Sequence, residues 1–165
     1  MSMFVRGSIF FSSKLNTTEI NNLAFNIINI ATNLNLGIFL GAITSIEKEE
    51  EETIALPAVS NRHIQYVISE SAYYNNCDKL FEPIYVYEDK RVNLSQSGLP
   101  RIQVLLENIL LNKDVAYIDI HIGTDDGTIL TTKQECEVSK FCDVIANNMT
   151  RNNSFVPRIY IKVVN

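Results

Sequence analysis

Apolar residues recur along this chain in two rhythms, and the change from one to the other marks out its elements. Over residues 4–11 branched and aromatic side chains occupy both parities, the pattern of a strand covered on both faces. From Ile20 the spacing lengthens. Ile20, Leu23, Ala24, Ile27, Ile28, Ala31 and Leu34 fall along one helical stripe, with Asn21, Asn22, Asn26, Asn29 and Asn33 mostly off it. Asn16 followed by Glu19 has the spacing of a capping box, and Gly37 is placed to end the helix in a left-handed conformation.

Strand character returns over 38–46 and again over 53–56, where Pro57 stops it, so the pattern predicts a hairpin. Residues 63–69 fit both periods, and their branched and aromatic content favours a strand. A short strand over 84–88 and a polar loop over 89–98 follow. Pro100 suits the first turn of a helix with the stripe Ile102, Leu105, Leu106, Ile109 and Leu110. Next comes a strand over 115–122. It sets Ala116, Ile118, Ile120 and Ile122 on one face and Val115, Tyr117, Asp119 and His121 on the other. A turn over 123–127 and a brief return over 129–131 come after it. Thr132 and Glu135 repeat the capping-box spacing and predict a helix that buries Cys136, Val138, Phe141, Cys142, Ile145 and Met149. Tyr160 and Lys162 alternate with Ile159, Ile161 and Val163 in a closing strand, expected to be half exposed.

Strands and helices thus intermix. The expected fold is α+β: three helices packed on a mixed or mainly antiparallel sheet of about five to seven strands. A length of 165 residues suits one globular domain over 1–165.

Composition narrows the function. No apolar run approaches the ~18 residues of a spanning helix, and the first residues lack the pattern of a secretory signal, so a cytoplasmic location is expected. Three cysteines without Cys-x-x-Cys spacing point to buried thiols and away from a disulfide framework or zinc ribbon. Nineteen acidic residues against fourteen basic ones give a formal charge of -5, the wrong sign for tracking a phosphate backbone. A basic protein is the better-matched partner, with neither nucleic acid nor membrane expected.

That negative charge is concentrated. Glu47, Glu49, Glu50, Glu51 and Glu52 surround Lys48 at the expected hairpin tip. Clustered carboxylates raise the encounter rate with a basic surface, whereas the plain alternative is a solvated turn that discourages edge pairing. Asp125 and Asp126 are secondary candidates for the same surface, and Tyr73, Tyr74, Tyr85 and Tyr87 are possible contact aromatics.

The best enzymatic hint is Tyr117, Asp119 and His121, since alternate residues of a strand share a face and a carboxylate beside an imidazole raises its proton affinity. No nucleophile motif stands near them. His63 and His121 lie far apart in the sequence, which argues against a metal site, and no glycine-rich loop offers a nucleotide cradle. No metal or cofactor is expected. Two other classes stay open: a small hydrolase or transferase using Asp119 and His121, and an adaptor subunit joined through the edge of the closing strand over 159–163.

In its acidic balance, its abundant Asn and Ile and its glutamate run, the chain resembles the immunity proteins that protect bacteria from toxins of contact-dependent growth inhibition. The resemblance implies a non-enzymatic, stoichiometric inhibitor that binds a cognate, basic, nuclease-like toxin domain and occludes its active site or substrate approach. It transfers no functional residue and leaves the oligomeric state open.

Overall fold

The computed structural model describes residues 3–12, 15–45, 62–69, 98–124, 132–152 and 159–165. They form strand β1 (Met3–Phe11), helix α1 (Thr17–Asn33), strands β2 (Gly37–Ser45) and β3 (Arg62–Ser69), and helix α2 (Leu99–Leu110). Strands β4 (Val115–Thr124) and β5 (Thr132–Glu137) follow, then a 3-10 turn (Val138–Lys140), helix α3 (Phe141–Asn152) and strand β6 (Ile159–Val164). The six strands make one mixed sheet in the order β2-β3-β1-β4-β6-β5. Every neighbouring pair is antiparallel except β5 with β6.

Helix α1 forms as its sequence predicts. Asn16 Oδ1 accepts from the Glu19 amide at 2.8 Å, and Glu19 Oε1 accepts from the Asn16 amide at 3.2 Å, so both halves of the capping box are present. Its other end differs from expectation. The left-handed residue is Asn35, at φ 55, while Gly37 already belongs to β2. The Leu36 amide donates to the Ala31 carbonyl at 2.9 Å and the Asn35 amide to that of Thr32 at 3.1 Å, a Schellman closure. Arg101 of α2 then donates to the carbonyls of Leu34 and Asn35, tying the two helices together.

All three helices bury their stripes against one face of the sheet. Ile20, Leu23, Ile27 and Ala31 from α1, Ile102, Leu105, Leu106 and Ile109 from α2, and Phe141 and Ile145 from α3 share one core. The strands contribute Val5, Ile9, Ile64, Ile68, Ile118, Ile120, Ile122, Ile159, Ile161 and Val163 to it. Each fully buried side chain of this size contributes about 1.5–3 kcal/mol. The opposite face carries the alternate residues. Near the start of β4 that alternation slips: Phe10 pairs with Tyr117 but Phe11 with Val115, leaving Ala116 as a bulge. Val115 therefore joins the helix-side core and Ala116 packs beside Phe10 and Tyr117, the reverse of the simple parity.

Two further expectations fail. Thr132 and Glu135 do not open a helix; Thr132–Glu137 is strand β5, and regular helix begins only at Phe141. Within β5, Cys136 is buried while Lys133, Glu135 and Glu137 are exposed, so the segment satisfies period two as well as the helical spacing. What decides is β6, whose outer backbone groups need a partner. β5 supplies one in parallel register, with α3 as the crossover.

The second failure follows from the first. With β5 outside it, β6 is an interior strand and its side chains are largely buried, so it offers no free edge to a partner subunit. Among the described residues β2 pairs with β3. The expected hairpin arm over 53–56, the strand over 84–88, the returns over 129–131 and all but the last residue of the loop over 89–98 lie outside the described residues. No helix among the described residues is long and apolar enough to cross a membrane.

Candidate functional site

The face of the sheet turned away from the helices carries its side chains in register rows. One row crosses all six strands, as Phe39, Val67, Arg6, His121, Tyr160 and Lys133. The next contains Gln65, Ser8, Asp119, Lys162 and Glu135. A third includes His63, Phe10 and Tyr117. A cleft of about 520 Å³ opens on the first two rows, walled by Arg6, Ser8, Phe39, Gln65, Asp119 and His121, with His63 at its margin. Both histidines of the chain therefore line one cleft despite their distance in the sequence.

Asp119 lies at its base, only 2 % exposed. Its Oδ1 accepts from the Ser8 amide at 2.6 Å, and its Oδ2 has a long 3.5 Å contact from the Tyr160 hydroxyl. On the helix side, Tyr66 donates to the Asp119 carbonyl at 2.7 Å. Gly7 makes this approach possible, because a Cβ there would run into the Asp119 carbonyl oxygen and stand 2.7 Å from Oδ1. Burial pushes the Asp119 carboxyl up to about 7, and its bonds to Ser8 and Tyr160 offset this only in part. Burial and the nearby Asp119 push Tyr117 up to about 12, and raise Tyr66 and Tyr160 as well.

His121 departs from expectation. Its imidazole packs edge-on against Tyr160 at 4.6 Å, and no hydrogen bond joins it to Asp119 among the described residues. Burial first, then the charges of Arg6 and Lys133, depress its proton affinity to about 4. Sharing a face with Asp119 is thus not enough to make His121 a stronger base. Burial sets the sign, and the two cations of its register row, Arg6 next to it and Lys133 two strands away, add to the drop.

Beside the cleft, aromatic rings stack in a column. His63 lies on Phe10 at 5.3 Å, Phe10 on Tyr117 at 4.6 Å, and the Lys162 ammonium stands 4.7 Å from the Tyr117 centroid. Lys162 also pairs with Glu135 at 3.5 Å. The buried Tyr117 hydroxyl makes no hydrogen bond among the described residues.

The acidic candidates Glu47, Glu49, Glu50, Glu51, Glu52, Asp125 and Asp126 lie outside the described residues, as do Tyr73, Tyr74, Tyr85 and Tyr87. Their points of attachment are described. The chain that carries the glutamates leaves the sheet at Ser45 and returns at Arg62, which are register partners. One residue further in, the register runs from Thr44 through His63 and Phe10 to Tyr117. Asp125 follows Thr124, at the far end of β4 and roughly 23 Å from that row at ~3.3 Å per residue. The two acidic segments are anchored at opposite ends of the sheet.

Of the cysteines, Cys136 is buried and Cys142 half-buried, both as free thiols pushed up to about 11 mainly by burial; Cys77 lies outside the described residues. Among the described residues no group of three or more His, Cys, Asp or Glu side chains is placed to hold a metal ion. No family model, curated protein or solved structure matches the chain.

Proposed function

We propose that this chain is an immunity protein, a cytoplasmic stoichiometric binder that neutralises a basic toxin domain by covering its active site or the approach of its substrate. One observation carries the reading. Five glutamates in six positions stand in the connection between two adjacent antiparallel strands, in a chain of net charge -5. Both ends of this connection, Ser45 and Arg62, are register partners, so the like charge it carries is attached at one end of the sheet. Such charge accelerates association with an oppositely charged surface and selects against acidic competitors.

The cleft supports binding over turnover. The Asp119 oxygens face Ser8 and Tyr160, and His121 is a weak base not hydrogen-bonded to Asp119. For His121 to serve as a general base near neutral pH it would need a hydrogen-bonded carboxylate and a higher proton affinity. Asp125 and Asp126, attached at the other end of the sheet, are assigned a secondary role.

The test is co-expression with basic, nuclease-like toxin domains drawn from the coding regions that neighbour this chain. Rescued growth and a one-to-one complex are expected. Absence of both, or a measured turnover reaction that needs no macromolecular partner, would remove the reading.

A further inference from the structure

The cleft holds a combination that the immunity reading leaves unused. In its register row the two formal charges, Arg6 and Lys133, are both positive, in a chain that is acidic overall. Neither takes part in an ion pair among the described residues, whereas Lys162 in the next row is neutralised by Glu135. Between Arg6 and Lys133 stand His121 and Tyr160.

Arg6 is also held in place. Its guanidinium lies 4.2 Å from the centroid of Phe4, a stack that restrains the plane and leaves the N–H edges available. On the other side of the cleft Phe39 stays 41 % exposed beside Val67, an apolar wall that water alone does not explain. The volume falls within the ~300–1,000 Å³ of small-molecule pockets. The one carboxyl lining the cleft among the described residues, Asp119, sits at its base, turned into bonds with Ser8 and Tyr160.

We infer that this cleft binds a small organic carboxylate with an apolar body, its charged end at Arg6 and His121 and its body against Phe39 and Val67. Arg6 supplies a charge-assisted, planar contact. His121 supplies an uncharged ring N–H, and Lys133 draws the anion in from the far side of the row.

The chain's two histidines both report on the cleft, so imidazole signals of the full-length protein can follow titration with phenylacetate. A saturable shift of His121 is expected, with the uncharged analogue phenylacetamide far weaker. Arg6→Gln should weaken phenylacetate by about tenfold or more, Arg6→Lys by only a few-fold, and Lys133→Gln by an intermediate amount. An unchanged His63 signal in each unliganded variant shows that the sheet is intact. Equal affinity for the amide, an Arg6→Gln variant that binds like the parent, or no saturable shift through the millimolar range would each overturn the inference.

Discussion

Ser8 and Asp119 face each other across β1 and β4, and the Ser8 amide donates to the Asp119 side chain at 2.6 Å instead of leaving that carboxyl to solvent. The carboxyl is nonetheless pushed from its ordinary 3.8 to about 7, because burial outweighs the bond. A folded-state value above the unfolded one means that the Asp119 contribution to stability is fully present below about pH 4 and is lost progressively as pH rises to 7. At about 1.4 kcal/mol per pH unit the loss approaches roughly 4 kcal/mol. Asp119→Asn keeps an acceptor for Ser8 but cannot ionise. Urea unfolding should find it more stable than the parent at pH 8, with the advantage gone at pH 4.

His121 acts in the opposite sense. Its folded value is depressed from 6.5 to about 4, so its contribution is complete above pH 6.5 and disappears as pH falls towards 4, by roughly 3 kcal/mol. The two residues nearly cancel between pH 4 and 6.5. His121→Gln should therefore steepen the loss of stability with rising pH, while Asp119→Asn should reverse its direction. A pH titration of the imidazole signals checks the cause: Lys133→Gln and Arg6→Gln should each move the His121 midpoint upwards.

Two tyrosines near Asp119 should respond differently to loss of the hydroxyl. Tyr66 donates to the buried Asp119 carbonyl, so Tyr66→Phe leaves an acceptor unpaired and costs about 1–2 kcal/mol. The Tyr117 hydroxyl has no hydrogen-bond partner among the described residues, so Tyr117→Phe should change stability by less than about 0.5 kcal/mol or increase it. Thermal unfolding of the two variants side by side measures the contrast.

Gly7 is fixed by backbone, not by a movable side chain. Gly7→Ala sets a methyl against the Asp119 carbonyl oxygen and forces β1 and β4 apart, which should cost about 3 kcal/mol or more. Slow amide exchange around residues 7–9 and 118–120 should be lost before that of the helices.

Much of this fold was legible because local signals and tertiary need agreed. The Asn16–Glu19 box, Pro100 at the head of α2 and the alternation of β4 from Tyr117 onwards all read correctly. β5 did not, since Thr132, Glu135, Cys136 and Phe141 satisfy a helical spacing and only the unpaired side of β6 decides otherwise. The cleft was half legible. Alternation brought Asp119 and His121 to one face, but Arg6 and His63 reach the cleft, and Lys133 the register row that extends beyond it, through strand order and register, which no local pattern encodes. The depressed His121 follows first from its burial on this face and then from the cations that the register brings near it.

The central claim concerns charge at the Ser45–Arg62 end of the sheet. Its most direct test is the association rate of this chain with the basic toxin domain that co-expression identifies, measured from low to high salt. The comparison is a variant carrying glutamine at positions 47, 49, 50, 51 and 52. The parent should associate faster at low salt by about tenfold or more, and the two rates should converge as the Debye length shrinks to about 3 Å at 1 M. Identical rates at low salt, with the same salt dependence, would contradict the account.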